Sequence, residues 1–450
     1  MHIVIIGNGI AGISAARYIR KQNSEAKITV VSAETAHFYS RTALMYIYMG
    51  HMTYENTKPY EDWFWSKNRI GLLQDYVETV DFDGKVLVLQ KNDRLSYDKL
   101  IIAAGSKSNK FGWPGQNLDG VQGLYNRQDL TLLEENTKNI KQAVIVGGGL
   151  IGVELGEMLM SRRIKVTFLV RESSYWNNVL PPEESDMINR HIREHHVDLH
   201  LNTELKEIVS DENGRAKGVV TSKGTVIDCQ LVGLTAGVSP NVDFLKGTEL
   251  AIKKGVLVNE YLETNIPDVS AVGDCAQFIT PLPNRRPIEQ VWYTGRMQGI
   301  TVAYTVCGNR KKYKPRTWFN SAKFFDIEYQ TYGMVMPKLN EQEEQLYWEH
   351  SDGKKCLKFV YQKNTQQLLG INAFGIRLRH EVCEAWLNEG RTLDYVLAHF
   401  KAANFDPEFY TTYEKEVAAA YQKQYPNKKI NLVPKKNLFD MIFKSGIFHR

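Results

Sequence analysis

A chain of 450 residues is longer than one hydrophobic core organises, so about two to four domains are expected. Hydrophobic residues at 43% and charged residues at 24% are ordinary globular values, and 56 basic against 51 acidic residues is too small an excess for a nucleic-acid binder. Five cysteines, Cys229, Cys275, Cys307, Cys356 and Cys383, form no C-x-x-C pair, and their odd number argues against a disulfide framework and for a reducing compartment.

The opening "MHIVIIGNG" enters a strand directly, with no basic leader, long apolar stretch or cleavage site, and no apolar run reaches the ~20 residues of a membrane span. A cytoplasmic location is expected. "HIVIIGNGIAGISAARYI" then reads as apolar strand, glycine turn and helix, with Gly7, Gly9 and Gly12 in G-x-G-x-x-G spacing. In such a turn the first glycine allows the bend, the second lets backbone approach a pyrophosphate, and the third lets helix and strand pack closely. The next strand, "KITVVSAE", ends at Glu34, an acid placed to accept from ribose hydroxyls. Residues 37–50, "HFYSRTALMYIYMG", follow with one arginine, four aromatics and no cysteine or lysine.

"YDKLIIAAGS" is an apolar strand ending in Ala104 and Gly105, small enough for backbone to pass a flat ligand. "QAVIVGGGLIGVELGEML" repeats the first plan with Gly147, Gly149 and Gly152, and two copies in strand-turn-helix context are far more specific than one. Its following strand, "KVTFLVRES", is mixed. Val170 stands where an NAD-type acid is expected, Arg171 is suited to a 2′-phosphate, and Glu172 is one residue further on, so NADH and NADPH both stay open. "NRHIREHHVDLH" carries His191, His195, His196 and His200, but without a cysteine or acid at ligand spacing it reads as a solvent-side helix entering a strand, and no metal is expected. "LVGLTAGVSPN", with Gly237, and "ETNIPDVSAVGDCAQF", with Gly273 and Asp274, are further strands closing on small residues. "NRKKYKPR", residues 309–316, is a basic connector, and a third, mixed α/β region begins near residue 315. The last twenty residues, with Leu438, Phe439, Ile442 and Phe443 among cations, suit either an interfacial or docking segment or a helix packed on the core.

With "GNGIAG", "YDKLIIAAGS", "GGGLIGVELGE" and "TNIPDVSAVGDCA" in this order, the chain resembles the FAD-dependent pyridine nucleotide-disulfide oxidoreductase superfamily. "FYSRTALMYIYMG" and "IEQVWYTGRMQG" are most similar to its ferredoxin reductase, rubredoxin reductase and nitrite reductase NADH-module branch. The resemblance implies an α/β fold: two Rossmann-like nucleotide-binding domains of the glutathione-reductase type plus a C-terminal α+β domain. It implies an FAD-binding domain over 1–115 and 242–312, an NAD(P)-binding domain over 116–241, a C-terminal domain over 313–430 and a tail over 431–450. Asp274 is then the residue that holds the ribityl chain of FAD, Arg41 a retained flavin-site arginine, Trp292 a residue flanking the flavin, and Glu154 an acid near the nicotinamide amide. The plainer alternatives are a surface ion pair for Arg41, an exposed helix acid for Glu154 and core packing for Trp292.

Thr42 stands where relatives that reduce coenzyme A disulfide or oxygen carry a cysteine, and Ile10 where peroxidase-type relatives carry a histidine. Met45 and Tyr46 replace the usual serine and lysine, which leaves Tyr46 as the candidate hydrogen-bonding partner near Glu154. What the resemblance implies is an oxidoreductase that moves electrons from NADH or NADPH through FAD to an external acceptor, first of all a small acidic iron-sulfur carrier docking on Arg310 to Arg316. The alternatives are a redox sensor or interaction protein similar to apoptosis-inducing factor, and a quinone or oxygen reductase. A homodimer and a peripheral membrane contact through the tail are the further associations this reading admits; nucleic acid is excluded.

Overall fold

The computed structural model describes residues 1–283, 285–406 and 410–433. Most of the expected tail, including Leu438, Phe439, Ile442 and Phe443, therefore lies outside the described residues. The chain forms two compact units: Met1–Tyr175 with Arg193–Pro315, and Trp176–Ile192 with the chain from Arg316 onward.

The first unit is built on two parallel five-stranded sheets. In one, the order is Val269–Ala271, Lys99–Ile102, His2–Ile6, Lys27–Ser32, Ile70–Gln74. In the other it is Asp198–His200, Lys165–Leu169, Gln142–Val146, Leu231–Leu234, Val121–Gln122. Central strands of parallel sheets are covered on both faces, which is why "IVII" and "AVIV" are continuous apolar runs rather than alternating ones. Ile3, Val4 and Ile5, and Ala143, Val144 and Ile145, are all fully buried. Each sheet has a three-stranded antiparallel excursion, Val77–Asp81 through Arg94–Ser96 in one and Leu205–Ser210 through Val226–Asp228 in the other. The strand Val269–Ala271, which follows the second sheet in sequence, returns to the edge of the first and brings Gly273 and Asp274 to its carboxyl end. Mixed α/β structure with parallel sheets carrying glycine turns is the expected architecture in outline.

Helix Ile10–Gln22 packs closely against helix Trp292–Val306. A Cβ at Gly299 would sit 2.2 Å from the Ala11 carbonyl oxygen, so only glycine permits this approach.

The second unit is a five-stranded antiparallel sheet ordered Phe319–Phe324, Ile327–Gly333, Leu368–Phe374, Cys356–Gln362, Glu343–Glu349. Alternation along its strands gives one apolar face and one mixed face, on which Val360, Phe374 and Tyr329 accompany Lys358 and Asn372. Leu346, Trp348, Phe359 and Ile371 form a core with the helices His380–Asn388, Leu393–Ala398 and Glu414–Gln424. Lys358 and Asn372, on the other face, are buried against residues of helix Pro182–Glu194: Lys358 Nζ donates to Glu183 at 2.7 Å, and Asn372 Nδ2 to Glu184 at 2.7 Å. The solvent-side reading of that helix needs correction. Glu184, Ser185, Met187, Ile188, Asn189, His191 and Ile192 are buried, and His191 Nε2 lies 2.6 Å from Asp326 Oδ1. Polar residues at helical spacing conceal a buried face when the sheet beneath offers polar partners. No described helix is long and apolar enough to cross a membrane.

Candidate flavin and nucleotide site

The first glycine turn opens a cavity of about 300 Å³ whose lining includes Gly7, Gly9, Glu34, Arg41, Ala104 and Gly105. Gly7 has φ of 108°, and a Cβ there would lie 2.2 Å from the Ala103 carbonyl oxygen. A Cβ at Gly12 would lie 2.0 Å from the Gly7 oxygen, which fixes helix Ile10–Gln22 tightly on its strand. Gly9 is different: the nearest atom to its Cβ position is an Arg41 nitrogen at 3.9 Å. The second turn repeats this arrangement. Gly147 has φ of 127° and faces the Thr235 carbonyl at 2.6 Å, Gly152 meets the Gly147 oxygen at 3.0 Å, and nothing lies within 4 Å of the Gly149 position. In both copies the outer glycines lie close against protein atoms, more tightly at Gly7 and Gly12 than at Gly152, and the middle one faces open space, as a site for an approaching pyrophosphate requires.

Around the first cavity the charged residues are already organised. Glu34 accepts from Tyr39 and Arg41 and from the backbone N–H of Arg127 at 2.9 Å. Arg41 is thus in an ion pair, but a largely sheltered one, with 14% of the Glu34 side chain exposed. Burial opposes the Arg41 charge, yet Glu34, Tyr125 and Tyr39 outweigh it and raise the pKa. The guanidinium lies 4.6 Å over the ring of Tyr125, while its Nε is buried without an acceptor among the described residues. A buried donor on the cavity wall without a partner fits an anionic ligand such as the pyrophosphate of FAD.

Tyr125 extends the network to Asp274. Its hydroxyl accepts from the Ser106 N–H at 2.9 Å and lies 3.3 Å from Asp274 Oδ2, which also receives Ser106 Oγ at 3.2 Å. Gln290 Nε2 donates to Ser106 Oγ at 2.7 Å, which ties the segment before Trp292 to the same point. Burial raises the Asp274 pKa, against the pull of Arg41, Ser106 and Tyr125. Tyr125, Ser106, Gln290 and Gln298, which accepts from the Gly273 N–H at 2.7 Å, were not singled out from sequence. One signal was present for Tyr125. "NRQD" is a capping box in which Asn126 accepts from the Asp129 N–H, while Asp129 Oδ2 accepts from Tyr125 N and Asn126 N, holding the tyrosine at the helix entrance.

The remaining residues are distributed unequally. Trp292 is 41% exposed with its ring against Tyr293, so it is not core packing. Met45 is buried, and Tyr46 is half-buried beside His51. Both sit on helix Leu44–Tyr48, which packs on helix Leu150–Ser161, the helix that carries Glu154. Burial, followed by the neighbouring Glu157, pushes the Glu154 carboxyl up to about 7. Gly237 has φ of 86° beside Asn109, away from the first cavity. Arg171 is 70% exposed and donates to Glu172 at 2.9 Å.

Thiol chemistry has no foothold here. Cys275, next to Asp274, is fully buried, donates toward Val272 and Ile102 carbonyls, and is pushed up to about 11 by burial. Thr42, at the position aligned with a reactive sulfur, is exposed beside Ser40. In the basic connector, Arg310 is paired with Glu263 and Lys312 with Glu260, both cations remaining about half exposed.

Comparison with known proteins fits this geometry. The chain is 29% identical over 328 residues to rhodocoxin reductase of Rhodococcus erythropolis, covering 72% of this chain and 76% of that one. It is 27% identical over 312 residues to NADH-rubredoxin oxidoreductase of Clostridium acetobutylicum, covering 69% and 76%. An NAD-dependent persulfide reductase from A. fulgidus has the same fold at a TM-score of 0.82, with 23% identity over 94% of this chain and 84% of that one. Residues 1–304, which hold both glycine turns, Arg41 and Asp274, match the model of the pyridine nucleotide-disulphide oxidoreductase family, and the chain belongs to that family.

Proposed function

We propose that the protein is a reductase in which FAD is the only redox centre, fed by a nicotinamide nucleotide and emptied by a small iron-sulfur carrier. FAD, when bound, supplies the capacity to accept a hydride and to release electrons singly or in pairs. The protein's part is placement, and its residues divide that task.

Gly7, Gly9 and Gly12 bring backbone to the pyrophosphate, with the unpartnered Arg41 Nε as an added donor. Glu34 is the ribose acceptor: three donors already occupy it, leaving about one of the roughly four acceptor positions of a carboxylate. Ala104, Gly105 and Gly273 keep backbone close to the ring system, and Asp274, steadied by Ser106 and Tyr125, accepts from the ribityl hydroxyls. Gly147, Gly149, Gly152 and Gly237 line the nucleotide's path, with Glu154 and Tyr46 flanking the nicotinamide. The Glu154 carboxyl, raised to about 7, holds a proton more readily than an ordinary acid, and in its protonated form it donates to an amide oxygen. Trp292, 41% exposed beside Tyr293, is the residue that flanks the flavin. The domain assignment follows the same division, with FAD on 1–115 and 242–312, the nucleotide on 116–241 and a separate C-terminal domain on 313–430.

The observation that carries this reading is the Arg41, Tyr125 and Asp274 network spanning a cavity that has no reactive cysteine. The purified protein is expected to be yellow, to bleach rapidly with NAD(P)H and to turn over with a ferredoxin- or rubredoxin-type acceptor. Slow bleaching accompanied by a change of oligomeric state would favour the sensor reading, and turnover with quinone or oxygen alone would favour those acceptors.

A further inference from the structure

We propose that Arg162 is a positioning residue for hydride transfer: it clasps the segment that carries Tyr46 onto the helix that carries Glu154, and so sets how the nucleotide meets the flavin. The inference rests on the reductase reading given above.

Arg162 follows directly on helix Leu150–Ser161, and its guanidinium reaches two other helices. Nη2 donates to the Tyr48 carbonyl at 2.6 Å and to Glu134 Oε1 at 2.7 Å, and Nη1 donates to Glu134 Oε2 at 2.7 Å. The guanidinium carbon also lies 3.5 Å from the centre of the buried Tyr48 ring. A planar fork can meet both oxygens of one carboxylate and still donate to a carbonyl, which an ammonium on a flexible stem does not reproduce. The carbonyl concerned is the last of helix Leu44–Tyr48. Carbonyls of a final turn lack partners within their own helix, so Arg162 supplies from outside the donor that this helix cannot.

The contact closes a frame. At one end Glu34 accepts from the Arg41 side chain and from the Arg127 N–H at 2.9 Å. At the other end Arg162 holds Tyr48 and Glu134. Two stretches of equal length, 41–48 and 127–134, therefore run between the same two hubs. Helix Leu44–Tyr48 packs on both helix Arg127–Asn136 and helix Leu150–Ser161. The Glu34 hub lines the first cavity. The Arg162 hub lies outside its lining, with 35% of the Arg162 and 38% of the Glu134 side chain exposed. Arg162 stands eight positions beyond Glu154, about 12 Å along a helix, so it acts on the reaction only through the elements it ties. Hydride transfer needs the reacting atoms about 3–3.5 Å apart, and a misplacement of about 1 Å costs on the order of a hundredfold in rate. Without Arg162 the stretch 41–48 keeps its anchor at Arg41 and loses the one at Tyr48, and Tyr46 shifts against Glu154.

The test uses the FAD-loaded protein. Anaerobic stopped-flow reduction by NADH and NADPH separates the limiting rate from nucleotide affinity, calorimetry with ADP-ribose measures binding without reaction, and hydrogen exchange reads residues 44–50. Arg162→Ala is expected to lower the limiting rate about tenfold, to keep both affinities within about twofold, and to speed exchange over 44–50 about tenfold. Glu134→Ala leaves the Tyr48 carbonyl its donor and is expected to lower the rate about threefold. Arg162→Lys keeps the charge without the fork and is expected to fall between the wild type and Arg162→Ala in rate and in exchange, and it supplies the same readouts should the alanine variant lose its flavin. An unchanged flavin spectrum verifies that each variant is folded. A limiting rate in Arg162→Ala within about twofold of the wild type, a loss confined to nucleotide affinity, or unaltered exchange over 44–50 overturns the proposal. If neither nucleotide reduces the wild-type flavin, the reductase reading fails, while faster exchange over 44–50 in Arg162→Ala still upholds Arg162 as the clasp of that segment.

Discussion

The two glycine turns share their strands, register and backbone contacts, yet their carboxylates live in different surroundings. Glu34 is held by Tyr39, Arg41 and the start of helix Arg127–Asn136. Glu172 has only Arg171, itself mostly exposed. A site whose polar groups are bonded in advance loses little entropy when it closes on a ligand, and it releases that ligand slowly; a site with a single exposed contact exchanges readily. On the proposed function, the same supersecondary unit is tuned in one copy for a resident cofactor and in the other for a substrate that must come and go.

The largest way to break this comparison is to fill the open side of each middle glycine. Gly9→Glu is expected to yield a colourless protein, whereas Gly149→Glu should stay yellow and lose more than about a hundredfold in kcat/KM for the nucleotide. Absorbance of the purified variants and their reduction rates check both. Arg41→Ala removes one member of the sheltered pair and leaves Glu34 without its charge partner. FAD affinity is expected to weaken by about 2 kcal/mol, roughly thirtyfold, in a flavin-release fluorescence titration.

Next in size are pH effects from two carboxyls, one in each unit. Glu154 and Glu184 are both pushed up to about 7, above the ordinary 4.5, by burial first. A raised carboxyl binds its proton more tightly when folded, so its contribution to stability is present at low pH and is lost as pH rises through about 7. The melting temperature is expected to fall between about pH 5 and 8, less steeply in Glu184→Gln, whose amide mimics the neutral acid. Glu154→Gln should remove an inflection near pH 7 from the rate of flavin reduction, which Glu184→Gln should leave in place. Smallest is the effect of Cys275→Ser: its thiol is buried and protonated, so reduction and turnover should change by less than about twofold.

The glycine turns and Glu34 are legible because each answers a local rule, a bend that only glycine allows or an acid at a strand's end, whereas Asp274 enters only through the resemblance of "TNIPDVSAVGDCA" to the family's segment. Tyr125 could not be connected with Asp274 in this way, since 149 residues separate them and only the return of strand Val269–Ala271 to the first sheet brings them together. Helix Pro182–Glu194 misled for a related reason. Its His191 looks solvated until the neighbouring Asp326 is seen to face it. Two of the connector's five cations, Arg310 and Lys312, are likewise paired with Glu263 and Glu260, acids some fifty residues earlier in the chain.

Anaerobic reductive titration of the yellow protein addresses the central claim most directly. With flavin as the sole redox centre, complete bleaching should consume one two-electron equivalent per FAD, and alkylating the thiols beforehand should change nothing. Uptake of a second two-electron equivalent that thiol alkylation abolishes would mean that a cysteine pair shares the electrons, and would contradict the account.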